Sequence, residues 1–401
     1  MMMNYLFYST EYGYLPLFTL VAMATIVYHH VGYPVLLKFW GKKKNTQKNK
    51  PIKSCHLPSI SIIMPAYNEQ AYIEAKIYNL GSLNYPSNKL TIYIVCDGCS
   101  DLTFFKAKRA LKQPENRHLH VELINLEKNI GKVAIINNMM EKVESDWVAL
   151  TDVSALISID AFLIASQHMH RADPAEKPIG VICSHYQVIN PGSTGEEVYW
   201  QYQCNIKQRE ANIESTLGAH GALYLFKSEL YTPLSETIIN DDFVLPMQIV
   251  AKGYRNIYLP NMNAIELEKA SDEQDSHRRR RISAGNIQQL LTLYRILLGQ
   301  AGARVAIIFI SGKYLRVLMP LFMIFCLISN GFLYDCNLFF TVLLILQLTA
   351  YLCALVGYLW GKQSPFIFKT AQYIVSGHLS NLLGAMEYLR SRETHFIQKN
   401  S

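Results

Sequence analysis

Residues 14–37, YLPLFTLVAMATIVYHHVGYPVLL, contain no Asp, Glu, Lys or Arg, and seven lysines follow between Lys38 and Lys53. A helix needs about 20 predominantly apolar residues to cross the hydrocarbon core of a bilayer, so this run is long enough. A signal peptide sets its basic residues before a shorter apolar core that ends at a small-residue cleavage site; here the basic residues come after the apolar run. The segment therefore reads as a retained membrane helix. Because lysines gather on the cytoplasmic side of such helices, Met1 is expected outside and residue 38 onward in the cytoplasm.

The apolar pattern returns at 315–331 and 338–360. The link 332–337 contains Asp335 and no Lys or Arg, whereas Lys313, Arg316 and Lys362 flank the outer ends, which places the turn outside and both ends, with Ser401, inside. Residues 303–312 and 366–389 are apolar on one side only, and Lys369, Gln372, His378, Asn381 and Glu387 interrupt the second. Both are expected as interfacial or re-entrant helices. With half the chain hydrophobic and 17% charged, the composition fits neither a disordered protein nor an ordinary soluble enzyme. The net charge of +7 collects at membrane edges and in one Arg run, without the basic and aromatic interleaving of a nucleic-acid face, so no nucleic-acid partner is expected. The eight cysteines (55, 96, 99, 183, 204, 326, 336, 353) are too scattered for a disulfide framework. Cys96 and Cys99 form a C-x-x-C, which leaves a redox pair as an alternative.

Four parts follow: a membrane helix at 1–40, a basic cytoplasmic linker at 41–55, a soluble domain at 56–300 and a membrane region at 301–401. In the soluble part, strand-like runs alternate with helical patterns. SISIIM (59–64) leads into Pro65-Ala66-Tyr67-Asn68-Glu69, and LTIYIVC (90–96) ends at Asp97-Gly98-Cys99-Ser100-Asp101. The run 121–126 precedes a helix starting near Lys132, and WVALT (147–151) ends on Asp152. Strand, polar loop and helix in repetition build a parallel α/β sheet, whose ligands bind beyond the carboxyl ends of the strands. Any one of these Asn, Asp or Ser residues is explained by turn formation or helix capping. Their recurrence at successive strand ends is not.

These residues resemble the membrane-integrated family 2 glycosyltransferases of the glycosyltransferase-A fold, the group that includes poly-N-acetylglucosamine, hyaluronan, cellulose and chitin synthases. MPAYNE (64–69) resembles the loop that cradles the nucleotide base, CDGCSD (96–101) the D-D-x-S-x-D element, and Asn129-Ile130-Gly131-Lys132 the N-x-G-K element. Thr151-Asp152-Val153-Ser154 stands where the family has D-x-D, Asn240-Asp241-Asp242 where it has T-E-D, and RRRRISAGNIQ (278–288) where it has Q-x-x-R-W and G-x-x-Q. Six short motifs in this order, framed by membrane helices over about residues 10–390, carry far more weight than any one alone.

The resemblance implies a mixed Rossmann-like sheet with helices on both faces. It implies a donor site of Pro65, Ala66, Tyr67, Glu69, Asp97, Lys132, Asp152 and Arg281. Mg²⁺ or Mn²⁺ would be held by Asp152, with Ser154 a weak ligand in place of the second Asp. Asp242 would be the catalytic base, with Asp241 tuning it, since adjacent acids in a closed cleft push one pKa up. His220, Arg278 and Gln288 are assigned to the acceptor, and the aromatic tract 199–202 (YWQY) either lines its path or packs as core. The implied reaction is inverting transfer from a UDP-sugar, with UDP-N-acetylglucosamine the candidate donor, to build a β-linked polysaccharide at a bacterial inner membrane. Transfer of one sugar to a lipid acceptor stays open, and so does an inactive nucleotide-sugar sensor. The partners implied are the UDP-sugar, a glycan or lipid-linked acceptor and membrane lipids, with room for an accessory subunit. Ile282 in place of the family's Trp removes an aromatic platform and weakens the case for processive synthesis.

Overall fold

The computed structural model describes residues 11–41, 57–169, 176–189, 194–268, 272–299, 301–361 and 364–400; the side chains at 194–198, 272–279, 295–299 and 391–400 lie outside the described set. Helix α1 (Leu15–Trp40) starts with Pro16 in its first turn, where the missing N–H costs nothing, and passes through a π-turn at Tyr28–Gly32. The next elements in order are β1 (Ile60–Ala66), α2 (Ile73–Gly81), β2 (Leu90–Asp97), α3 (Thr103–Leu111), β3 (Val121–Leu126), α4 (Lys132–Met140), β4 (Trp147–Leu150), β5 (Ala155–Ile157) and α5 (Ala161–Met169). Then come β6 (Ile179–Val188), α6 (Thr194–Ile213), β7 (Tyr224–Lys227), α7 (Asp241–Ala251), β8 (Arg255–Glu266) and α8 (Asp272–Gly299). The chain closes with α9 (Ala303–Leu333), α10 (Leu338–Trp360) and α11 (Phe366–Asn400).

One eight-stranded sheet runs in the order β3-β2-β1-β4-β7-β6-β8-β5. The first four strands are parallel, as the alternation of strands and helices predicts. β7 is antiparallel to both β4 and β6, so beyond β4 the sheet is mixed. Side-chain alternation in β1 divides the core. Ile60, Ile62 and Met64 pack with Ile73 and Ile77 of α2 and Phe162 of α5 on one face. Ile63 faces the other, with Val133 of α4, Leu245 of α7, Leu290 of α8 and Val305, Ile308 and Phe309 of α9.

The last contact corrects one expectation. Residues 303–312 do not form a separate interfacial helix; the π-turn Ile310–Tyr314 carries the helix unbroken into 315–333, and its first turns are core of the domain. Their one-sided apolarity reflects packing against protein. Residues 366–389 belong to a single long helix that packs along α8 and α10. α1, α9 and α10 are long and apolar enough to cross a membrane. In α10 only 11% of the apolar window is buried within the protein, an exposed apolar surface of the size that marks a membrane or protein contact.

Candidate active site

The carboxyl ends of β1, β2 and β4 open on one side of the sheet, and the loops leaving them are tied together by short polar side chains. Asn68, at φ 55°, accepts from Ser100 N at 2.9 Å. Asp101 accepts from Gln70 N at 3.1 Å and from Thr103 N and Oγ1 at 2.9 and 2.5 Å. Burial opposes ionisation of Asp101, but these hydrogen bonds prevail and hold its carboxyl below the usual range. Asp97, 3% exposed, takes Ile130 N on one oxygen at 2.8 Å and Gly131 N on the other at 3.0 Å. Gly131 has φ 87°, a conformation open to glycine, and it turns the chain directly into α4. Asp97 thus fixes the loop that presents Lys132.

Lys132 Nζ donates to Asp152 Oδ1 at 2.9 Å and lies 3.7 Å from Asp241 Oδ2. Burial disfavours its ammonium, yet Asp152 and then Asp241 outweigh burial and raise its pKa. For Asp152 burial again opposes charge; Lys132 leads the groups that hold the carboxyl ionised, followed by His220 and Lys76. Asp152 keeps 39% of its side chain open. Asp241 Oδ2 is buried and lacks a hydrogen-bond partner among the described residues, 3.7 Å being too long for one. A Cβ on Gly221 would fall 2.8 Å from Asp152 Oδ2, so glycine keeps space beside that oxygen.

The acids sit in the first turn of α7. Asn240 makes no side-chain cap; its carbonyl accepts from Phe243 N and Val244 N at 3.2 and 3.1 Å. Capping by the side chains of Asn240-Asp241-Asp242 is thus replaced by a backbone turn. Pro246 has no N–H to give the carbonyl four residues back, and the freed Asp242 O accepts from Ala219 N at 2.7 Å. One proline thereby docks the His220 loop on the acid pair. Burial first, then Asp241, raises the Asp242 carboxyl to about 6.

His220 stacks on Tyr186 at 3.6 Å between ring centres and meets the edge of Trp200 at 5.1 Å. Trp200 and Tyr199 are also edge-on, and Tyr199 reaches Tyr373 of α11, so the YWQY tract joins the loop to the C-terminal helix. Tyr67 is 54% exposed at the end of β1, and burial, then Glu268 and Asp152, lift the Glu69 carboxyl to about 7. Pro65 and Ala66 pair with Val95 and Cys96 inside the sheet.

The 278–288 segment packs behind the acids: Asn240 Nδ2 donates to Ile282 O at 3.3 Å. Both ends of the Gln288 amide are engaged by backbone: Oε1 accepts from Ile239 N at 3.0 Å and Nε2 donates to Thr237 O at 2.7 Å. Gln288 therefore grips the loop that leads into the acids. Arg281 is exposed on α8, next to Arg280, which pairs with Glu387, and no contact among the described residues joins it to Lys132 or Asp152. The side chain of Arg278 lies outside the described residues. The cysteine pair is not a redox couple in form: both thiols are free, Cys99 Sγ donates to Ala66 O, and burial followed by Cys99 pushes the Cys96 thiol up to about 12. A reactive thiol needs the opposite shift.

Lys76 is the residue that motif reading misses. It is fully buried, and its ammonium donates to Thr151 Oγ1 at 2.7 Å and to the Ala155 carbonyl, spanning the Asp152 turn from beneath. Thr151 in turn donates to Ala222 O at 2.6 Å. Burial pushes the Lys76 pKa down to about 7, against Asp152 and Glu266. The signal was its place in the apolar stripe Ile73, Lys76, Ile77, Leu80, where a lysine has to find partners indoors.

Among the described residues no three His, Cys, Asp or Glu converge to hold a metal ion unaided. A divalent cation nevertheless suits the site: Asp152 Oδ2 faces space kept by Gly221, Asp241 Oδ2 is an orphaned buried acceptor, and Ser154 supplies a hydroxyl two residues on. Donor phosphates would complete an oxygen shell.

Residues 61–229 match the sequence family Glycosyl transferase family 2. Over 221 residues, 53% of the chain and 51% of the relative, it is 24% identical to the poly-beta-1,6-N-acetyl-D-glucosamine synthase of Staphylococcus aureus strain COL. It is 28% identical over 107 residues, 27% of the chain and 22% of the relative, to the beta-monoglucosyldiacylglycerol synthase of Trichormus variabilis. The chain thus spans about half the length, or less, of these curated relatives. A mannosyltransferase from Pyrobaculum calidifontis, solved with GDP-Man and Mn²⁺, superposes with a TM-score of 0.68 over 91% of this chain and 99% of that one. At 22% identity the likeness is one of fold.

Proposed function

We propose, from a chain whose residues 61–229 form a family 2 glycosyltransferase domain, that the protein transfers a sugar from a UDP-linked donor, UDP-N-acetylglucosamine first among candidates, with inversion at the anomeric carbon. The observation that carries this reading is the acid pair Asp241–Asp242 set against Lys132 and Asp152 at the strand ends. Asp242 takes the proton of the acceptor hydroxyl, that oxygen bonds to the anomeric carbon, and the bond to the diphosphate breaks with its electron pair leaving on the diphosphate. Lys132 meets the charge that develops there. A Mg²⁺ or Mn²⁺ held by Asp152, with Ser154 assisting, would neutralise the same charge. Tyr67 and Glu69 frame the base, Lys76 and Asp97 hold the loops that carry Asp152 and Lys132, and His220 with its aromatic neighbours lines the acceptor side.

The product is a β-linked glycan made at the inner face of a bacterial plasma membrane, with the domain cytoplasmic, Met1 outside and the α9–α10 turn outside. The synthase from Staphylococcus aureus supports a polysaccharide product. Transfer of a single sugar to a lipid is favoured by a different observation: α9 brings Lys313 to 4.2 Å from the Phe243 ring, beside the base. Incubation of the full chain in lipid with radiolabelled UDP-sugars, and with GDP-mannose for contrast, followed by sizing of the product, tests the reading. Metal-dependent release of UDP with growth of a labelled product is expected. Absence of transfer from every donor would overturn it.

A further inference from the structure

Beside Phe243, the residue after Asp242, two helix faces oppose each other. Gln203, Lys207 and Glu210 share a face of α6, and Gly312, Lys313 and Arg316 lie on the facing turns of α9. Arg316 Nη1 reaches Gln203 Oε1 at 3.5 Å, and a Cβ on Gly312 would stand 3.3 Å from Glu210 Oε1. The two faces therefore run in opposite directions, which brings Lys207 level with Lys313. Lys207 Nζ donates to the carbonyls of Leu217 and Gly218 at 2.6 and 3.3 Å. Lys313 Nζ donates to Asn286 Oδ1 at 2.7 Å and lies over the ring of Phe243, which is wedged against Gly218 between the two ammoniums.

Three cations thus line a seam that runs from the residue after Asp242 toward the apolar length of α9. Glu210, the acid among them, is already engaged by Tyr33 Oη at 2.7 Å, Thr216 Oγ1 at 3.1 Å and Leu217 N at 3.0 Å. Among the described residues, none of Lys207, Lys313 and Arg316 forms an ion pair. All three are half-buried and held only by neutral acceptors, an arrangement that leaves their charge available to an anion, with which they would make charge-assisted hydrogen bonds. Two further features mark the seam. Gln289, one turn beyond Asn286 on the same face of α8, is fully buried, and neither amide atom has a hydrogen-bond partner among the described residues. The π-turns of α1 and α9 also meet here, Tyr28 Oη lying 2.8 Å from Ser311 Oγ, and π-turns are frequent at functional sites.

We propose that Lys207, Lys313 and Arg316 seat a phosphate group carried by the acceptor, which presents its hydroxyl to Asp242. The inference rests on the transferase reading above. The phosphate is an anchor and does not react: the hydroxyl loses its proton to Asp242, its oxygen bonds to the anomeric carbon, and the donor diphosphate departs. Such a phosphate belongs either to a lipid headgroup or to a water-soluble acceptor, and the location at the root of α9 suits the lipid.

The test measures binding by calorimetry to the full chain in a neutral detergent, with dihexanoyl phosphatidylglycerol, dihexanoylglycerol, glycerol 1-phosphate and UDP as probes. The phosphate lipid should bind at least tenfold more tightly than the neutral lipid. Lys313→Gln and Arg316→Gln should each remove about tenfold of that affinity, the loss of one charge-assisted contact, while Lys313→Arg retains most of it and UDP affinity stays unchanged. Equal binding of the two lipids, or an unchanged affinity in both Gln variants, would overturn the proposal. Glycerol 1-phosphate binding as tightly as the phosphate lipid would assign the seat to a soluble acceptor. A parallel loss of UDP affinity would give the cations to the donor and end the proposal. If the wild-type chain binds the phosphate lipid but not UDP, the donor reading fails and the anion seat stands alone.

Discussion

The two sides of Asp242 are built from different materials. The proposed donor side consists of loops leaving adjacent parallel strands, and its charges are paired: Lys132 with Asp152 and Asp241, Asp97 with two backbone N–H groups. The proposed acceptor side is a seam between α6, α8 and α9, whose cations rest on carbonyls, an amide and an aromatic ring. The first side is organised before any ligand arrives, as a site that must stabilise developing charge has to be. On the proposal above, the second holds charge in reserve for a partner that brings its own.

The sharpest way to break this contrast is at the boundary. Asp242→Asn preserves shape and removes the base, so turnover at saturating donor should fall by ~10²–10⁴-fold, while UDP affinity and folding persist. Because catalysis needs the carboxylate, wild-type activity should decline as pH drops through about 6, and that limb should vanish from the residual activity of the variant. If Asp241→Asn were the more damaging change, base and neighbour would exchange roles.

Next in size is the donor side itself. Lys132→Ala removes the cation that Asp152 and Asp241 share, and loss of a charged hydrogen bond of about 1.5–3 kcal/mol should weaken UDP by roughly 10–100-fold. Part of the lost turnover should return at high donor concentration. An unchanged UDP affinity in calorimetry would detach Lys132 from the diphosphate.

These two sides were unequally legible in the sequence. The donor side reads as short strings because a strand and the loop at its end are consecutive in the chain: Asp97 closes β2, and Lys132 opens α4 just after Gly131. The parallel half of the sheet follows from the same alternation. The proposed acceptor side joins Lys207, Asn286 and Lys313, which no spacing relates, and Gln288 is assigned to the acceptor by its G-x-x-Q resemblance, since its partners Thr237 and Ile239 lie about 50 residues away and no motif points to them. The 303–312 segment was misread for a related reason: one apolar face looks the same whether it meets lipid headgroups or the core beside Leu245.

A smaller effect belongs to Lys76, which supports the donor side from within. Lys76→Met leaves the Ala155 carbonyl unpaired and loosens the Asp152 turn, so UDP affinity should fall severalfold, less than in Lys132→Ala. The linkage has a definite sign. The native pKa of about 7 lies below the ordinary 10.5, so between these values the unfolded chain binds more protons and native stability gains as pH rises. Thermal unfolding followed from pH 7 to 10 should show that gain in the wild type relative to Lys76→Met. Parallel curves would mean that Lys76 does not titrate in this range.

The smallest expected effect separates contact from support on the acceptor side. If Gln288 touched the acceptor, Gln288→Leu would raise the acceptor KM and leave the base alone. The structure instead has its amide holding Thr237 O and Ile239 N, three and one residues before Asn240. Losing that grip leaves two backbone groups unpaired, at a cost of about 1–3 kcal/mol to stability, and frees the loop that sets the start of α7. Turnover should then drop a few fold with acceptor KM and UDP affinity unchanged, and the pH limb near 6 should move, because the burial that raises Asp242 depends on where α7 begins. A rise in acceptor KM with an unmoved limb would return Gln288 to the acceptor and dissolve this part of the contrast.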